Sequence, residues 1–253
     1  MSALIALGLP VAPQQGATLD TGLAFDLLRS PPDGPRVVTG HTDGVVTIDI
    51  EEADSARREA ARDALREPYR TVLGHLRHEA GHYYWQRLVD RGPWLASFRE
   101  VFGDERADYS AALRRHYAEG PLPGWARVYV SAYASAHPWE DWAETWAHYL
   151  HMLDMLDTAL SFSLDPEAVE LPSDRFTEAA LYSGANTADL EPAAGRDFLD
   201  LVNTWVELGA VLNELARSMG QPDLYPFVLP AAAVAKLHFV HLVVGAARRR
   251  GPQ

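Results

Sequence analysis

Residues 69–93 read YRTVLGHLRHEAGHYYWQRLVDRGP, and this stretch decides the fold. The pattern is helical from about Tyr69 to Val89, and Arg91-Gly92-Pro93 stops it. Inside it lies His78-Glu79-Ala80-Gly81-His82. In a helix, positions i and i+4 share a face, with Cβ atoms about 5–6 Å apart. His78 and His82 can thus present two imidazoles to one metal ion. Glu79, adjacent in sequence, projects beside the metal, where it can act as general base on a water. Gly81 inside the helix costs about 1 kcal/mol relative to Ala. Its presence implies that close backbone packing or substrate approach is wanted there. The plainer alternative is a chance meeting of two histidines and a glutamate, in a chain that holds 10 histidines.

A second acidic helix weakens that alternative. Residues 137–148 read HPWEDWAETWAH. Pro138 suits the first turn of a helix, with Glu140 and Asp141 near its positive end. Catalytic zinc normally takes three protein ligands, and Glu140 and Glu144 stand at i and i+4 on one face. One can bind the metal while the other orients a ligand histidine through its second ring nitrogen. Trp139, Trp142, Trp146 and Tyr149 make the helix mostly buried, and buried carboxylates need partners. The frame Glu140-x-x-Ala-Glu144 fits E-x-x-A-[D/E], in which the first acid is the ligand. Glu144-Thr-Trp-Ala-His148 is the competing frame, and residue physics leaves both open.

Outward from these helices, the chain has one good hairpin signal. In RVVTGHTDGVVTIDIEEAD (36–54), Val37 to Thr39 and Val45 to Ile50 flank the turn pair Asp43-Gly44. Residues 1–36 are rich in Gly and Pro and read as irregular, with one short apolar segment at Leu23 to Leu28. Residues 37–253 read as one compact unit. A charged helix runs from a cap at Asp54 or Ser55 to about Glu67, and another from about Glu105 to Glu119. WARVYVSAYASA (125–136) is ambiguous. The acidic helix continues to about Leu160, and two more cover about Gly195 to Met219 and Ala231 to Arg248. The fold class is α+β, predominantly α-helical, with a small N-terminal β-hairpin or sheet packed on the helix that carries His78 and His82.

Composition sets the outer limits. The chain has 253 residues, 47% of them hydrophobic, with 22 Lys+Arg against 35 Asp+Glu and a formal charge of −13. That apolar fraction excludes wholesale disorder. Zero cysteines exclude disulfides, thiolate zinc sites and a cysteine nucleophile, so a transition metal must use His and carboxylate ligands. The acidic balance argues against nucleic-acid and anionic-membrane partners. No Lys or Arg precedes the apolar run Ala3 to Val11, which makes it a poor signal peptide. Lys236, His238 and His241 interrupt the apolar stretch 227–247, which reads as a buried helix and not a span. A cytoplasmic location is expected.

Two resemblances follow from these motifs. The pairing of HExxH with a downstream glutamate resembles the gluzincin metallopeptidases. Within them, YASAHPWEDWAE (133–144) is similar to the catalytic segments of anthrax lethal factor and the bacterial MtfA-type peptidases, which carry a tyrosine seven residues before the ligand glutamate. That resemblance implies Glu140 as third metal ligand, Glu144 as the acid that orients a ligand histidine, and Tyr133 as a transition-state hydrogen-bond donor. Over nearly the whole chain, TGHTDGVVTIDIEEAD, EPYRTVLGHLRHEAGHYYW, FGDERADY, HPWEDWAETWAHYLH and LYPFVLP resemble the bacterial "putative zinc-binding metallopeptidase" family. Many of its members carry a cysteine-rich zinc ribbon ahead of this domain, for which this chain has no cysteine. The resemblance implies a zincin-like fold, Zn²⁺ as cofactor and a peptide or protein substrate, hydrolysed by metal-activated water with Glu79 as general base. The alternative is a zinc-binding regulatory or peptide-binding module with little hydrolysis.

Several neighbours carry weaker readings. His75 reads as a core histidine or one beside the metal face, and His148 and His151 as packing residues. Arg77 and Arg87 could hold a peptide carboxylate but read better as a solvated face. Tyr83, Tyr84 and Trp85 read as core or cleft wall. The strand Val45 to Ile50 could pair with an extended peptide, although covering the His78 helix is its simpler role.

Overall fold

The computed structural model describes residues 2–15, 22–31, 33–65, 67–164, 174–184 and 192–250. Asp43 and Gly44 both take positive φ, at 49° and 83°. Those two left-handed residues form the tight turn whose twist matches its flanking strands. They join β2 (Gly40–Thr42) to β3 (Val45–Asp49), paired antiparallel with Thr42 opposite Val45. The expected first strand at Val37 to Thr39 lies outside the ladder. Its polar groups are taken up locally: Val37 N donates to Ser30 Oγ, and Thr39 Oγ1 donates to Glu52 and accepts from Asp49 N.

A third strand, β1 (Ala24–Leu28), pairs parallel with β3, giving the order β1-β3-β2. This corrects two expectations. The segment 1–36 is not irregular throughout: it contributes β1 and the short helix α1 (Ser2–Ala6), and Leu4, Leu9 and Leu23 enter the main core. Tyr84 also donates to Pro10 O at 2.8 Å. And β3 has a neighbour on each side, so it has no free edge to offer an extended peptide. On β3, Val46 and Ile48 alternate inward and are fully buried.

Those residues press on α3 (Val72–Leu88), which Thr71 caps by accepting from Gly74 N at 2.9 Å. Every residue from Arg77 to Trp85 is buried. Burial all round marks a central helix. One face meets the sheet and another meets α6 (Pro138–Ser161), its most extensive partner. At the α3–α6 contact, Trp142 Nε1 donates to Gly81 O at 2.9 Å, and Tyr84 stacks on Trp146 with centroids 5.0 Å apart.

The remaining helices complete the shell. Asp54 Oδ1 accepts from Arg57 N at the start of α2 (Ser55–Leu65), as a cap should. The stretch after α3 holds two helices, α4 (Leu95–Phe102) and α5 (Tyr109–Glu119), where only the second is expected from sequence. Gly103, at φ 103°, ends the first, and Asp108 caps the second through Ala111 N. The ambiguous stretch 125–136 forms two 3-10 turns, Trp125–Arg127 and Tyr133–Ser135. Then come α6, α7 (Pro192–Ser218) and α8 (Ala231–Arg250). Predominantly α-helical α+β architecture is the outcome. α8 is long and apolar enough to cross a membrane by length and composition, but 56% of that stretch is buried inside the protein. It packs on α4, α6 and α7, as a core helix does.

Candidate metal centre

Helical spacing in α3 aims His78 and His82 the same way, with ring centroids 4.9 Å apart and planes at 82°. α6 crosses close to α3 because Gly81 has no side chain to hold them apart. A Cβ there would lie 3.1 Å from Ala143 Cα and 3.2 Å from Trp146 Cβ. That approach brings Glu140, one turn earlier on α6, to the imidazoles. His78 Nε2 is 3.0 Å from Glu140 Oε2, and His82 Nε2 is 3.6 Å from Glu140 Oε1. One atom from each of His78, His82 and Glu140 falls within 4.8 Å of the other two, and all three residues are buried. Among the described residues this is the one such group.

Glu144 stands one turn further on. Its Oε1 accepts from His78 Nδ1 at 2.6 Å, and its Oε2 accepts from the Ser131 hydroxyl at 2.6 Å. The two glutamates thus divide the two nitrogens of His78: Glu140 faces Nε2 and Glu144 faces Nδ1. In this arrangement burial disfavours the His78 imidazolium, but Glu140 and Glu144 outweigh it and raise its pKa well above the usual histidine value. Burial likewise opposes the charge of Glu140, yet His82 and His78 hold it well below the carboxylate range. Glu144 is held at about 2, because the His78 hydrogen bond overcomes burial.

These residues fit a divalent transition metal. Two imidazole nitrogens and a carboxylate oxygen form the ligand set of many catalytic zinc sites. With a cation at Nε2 in place of a proton, His78 would be neutral and would still donate Nδ1–H to Glu144.

Glu79, 8% exposed, sits between His78 and His82 in sequence and has no hydrogen-bond or ion-pair partner among the described residues. Tyr133 lies near the cluster, its ring 5.9 Å from that of His78 and 5.6 Å from that of His116. Burial, then Glu140, raises its pKa well above that of a free tyrosine, so its hydroxyl keeps its proton. Two residues with no role read from sequence join the site. Ser131 holds Glu144, and the Tyr109 hydroxyl donates to Glu140 Oε1 at 2.6 Å. Tyr109 closes the FGDERADY stretch, which carries the family resemblance but no stated role, and no local pattern marks Ser131. Each arrives at the site through tertiary packing.

The other candidates take partners outside the cluster. His75 pairs with Glu52, and Arg77 with Asp154 and His151. His148 bonds the Tyr225 hydroxyl. Arg87 lies over the Tyr83 ring, and Tyr83 and Tyr84 are core residues.

A family model described as "Putative zinc-binding metallo-peptidase" matches residues 1–243. The chain belongs to this family. Among curated proteins, uncharacterized proteins of Mycobacterium bovis and Mycobacterium tuberculosis are 48% identical to it over 226 residues. The match takes in 89% of this chain and 61% of each relative, so the chain spans under two thirds of the relatives' length. No solved structure matches the chain significantly. The family's zinc-binding description agrees with the His78, His82 and Glu140 group.

Proposed function

We propose that the chain is a zinc-dependent peptidase of the gluzincin type. His78, His82 and Glu140 would hold Zn²⁺. When bound, the ion supplies Lewis acidity, polarising a carbonyl and making a water molecule more acidic. Glu79 takes the proton from the attacking water and passes it to the departing amine. With no partner among the described residues, both its carboxylate oxygens are available for that work. Tyr133, protonated throughout the working range, donates its hydroxyl to the carbonyl oxygen as negative charge develops there. Glu144 keeps the His78 proton on Nδ1, which leaves Nε2 with a lone pair for the metal. Ser131 in turn fixes Glu144.

The observation that carries this reading is the convergence of His78 Nε2, His82 Nε2 and the Glu140 carboxylate, with the buried Glu79 next to His78 in sequence and without a hydrogen-bond partner among the described residues. Family membership supports it. The substrate would be a peptide or protein segment. A digest of a mixed peptide library tests the proposal, with zinc-loaded wild type, chelated wild type and Glu79→Gln. Wild type should cleave, and chelation should abolish cleavage. Glu79→Gln should keep its zinc and lose about 10²–10⁴-fold in rate. Turnover unchanged in Glu79→Gln would sink the mechanism. A wild type that binds zinc and cleaves no peptide would sink the peptidase assignment.

A further inference from the structure

Glu140 is held by more than the two imidazoles. Its side chain is 1% exposed, and the third group on it is a phenol from a different helix. Tyr109 is the first residue of α5, and it reaches Glu140 because the start of α5 is pinned to the start of α6. His137 is the pin. Its Nδ1 accepts from Trp139 N at 3.1 Å, which caps α6. An accepting Nδ1 leaves the ring proton on Nε2, and Nε2 donates to Ala107 O at 3.1 Å. One buried histidine thus serves the first turn of α6 and the approach to α5.

Two aromatic rings pack on Tyr109. It packs edge-on against His137 at 5.2 Å and against Trp139 at 5.7 Å, while Trp139 lies 4.3 Å from His82. Asp108 caps α5 through Ala111 N at 2.9 Å, which sets the direction in which α5 leaves. With its ring held this way, the hydroxyl has one strong partner, Glu140 Oε1.

We propose that Tyr109 is a positioning residue for the metal, holding Glu140 through Oε1, and that His137 holds Tyr109 in place. This rests on the metal-centre reading above. A hydrogen bond to a ligand carboxylate fixes its orientation and tunes its donor strength, and loss of such partners typically costs 10–100-fold in metal affinity. Tyr133 offers the contrast. Its ring neighbours His78, but it makes no hydrogen bond to Glu140 among the described residues.

The test compares wild type with Tyr109→Phe, His137→Asn and Tyr133→Phe. Zn²⁺ affinity is read by competition with a chromophoric chelator, and the Co²⁺-loaded proteins are compared by visible absorption. Thermal melts of the metal-free proteins report folding. Tyr109→Phe keeps the packed ring and should bind Zn²⁺ about 10–100-fold more weakly, with shifted Co²⁺ bands and an unchanged metal-free melt. His137→Asn keeps a good helix cap but loses the nitrogen that reaches Ala107. It should weaken Zn²⁺ in the same direction, and it carries the comparison if Tyr109→Phe does not fold. Tyr133→Phe should leave Zn²⁺ affinity near wild type. Wild-type affinity and superimposable Co²⁺ bands in Tyr109→Phe would overturn the role of Tyr109 alone. So would a lowered melt with unmoved Co²⁺ bands. A wild type that binds neither ion would overturn the metal-centre reading itself, and this inference with it.

Discussion

Gly81→Ala is the sharpest probe of how the fold makes the site. In an exposed helix this change would stabilise by about 1 kcal/mol, because Ala restricts the unfolded chain and favours the helix. Here the new Cβ would lie 3.1 Å from Ala143 Cα, 3.2 Å from Trp146 Cβ and 3.2 Å from Trp146 Cδ1. Carbon atoms prefer about 3.5–4.0 Å. The neighbours have little room to yield: Ala143 and Trp146 are fully buried, and Trp146 is stacked on Tyr84 and tilted against Trp142 at 5.8 Å. Overpacking of this kind costs about 1–3 kcal/mol. Set against the helix gain, the net is a loss of about 1 kcal/mol, or roughly 2–4 °C for a chain of this size. Because the strain is relieved by moving α6, Glu140 moves from His78 and zinc binding weakens as well. Urea unfolding of the metal-free protein, with chelator competition for zinc, reads both effects. A variant about 1 kcal/mol more stable than wild type, with unaltered zinc affinity, would refute the reasoning.

Two further perturbations follow from the same geometry. Glu144→Gln removes the charge that faces His78 Nδ1 and should lower zinc affinity about tenfold, measured by the same competition. Glu144 has its folded pKa at about 2, below its ordinary 4.5. Its charge therefore stabilises the metal-free fold above about 4.5, and that contribution is lost as pH falls toward 2. The stability gap between wild type and Glu144→Gln should narrow across that window in acid titrations. Lys236 Nζ lies 2.6 Å from Asp141 Oδ2, with side chains 5% and 0% exposed. Lys236→Met strands a buried carboxylate and should cost about 3–5 kcal/mol, most of it recovered in Lys236→Met/Asp141→Asn. Burial, outweighing Lys236, raises Asp141 to about 7. Lys236→Met removes the charge that lowers Asp141, so in the variant Asp141 takes up its proton at higher pH still. The penalty of the single variant should therefore grow as pH rises above about 7, where wild type carries the ion pair and the variant must stay protonated to fold; a penalty independent of pH in that range would contradict this.

What was legible in sequence was what local geometry dictates. Two histidines at i and i+4 must share a helix face, so His78, Glu79 and His82 could be read directly. The turn at Asp43-Gly44 was legible because few other pairs tolerate two left-handed residues. Spacing alone could not divide the labour of Glu140 and Glu144, since both stand on one face. What separates them is the approach of α3, which sets Glu140 against Nε2 and Glu144 against Nδ1 of one ring. The roles of Tyr109, which closes the FGDERADY stretch, and of Ser131 are not legible, because helix and turn positions say nothing about which distant carboxylate a hydroxyl will meet. β1 carries no alternation to read in sequence: Phe25, Leu27 and Leu28 are apolar, yet all are substantially exposed. The β-branched composition of Val37 to Thr39 reads as a strand, but Val37 N donates to Ser30 Oγ, and the Thr39 hydroxyl donates to Glu52 and accepts from Asp49 N.

The central claim is that His78, His82 and Glu140 hold one zinc ion. X-ray absorption fine structure of the zinc-loaded protein, with metal analysis, tests it most directly. The prediction is one zinc per chain with two imidazole ligands at about 2.0–2.1 Å, falling to one imidazole in His82→Ala. Absence of stoichiometric zinc, or an imidazole count that His82→Ala leaves unchanged, would contradict it.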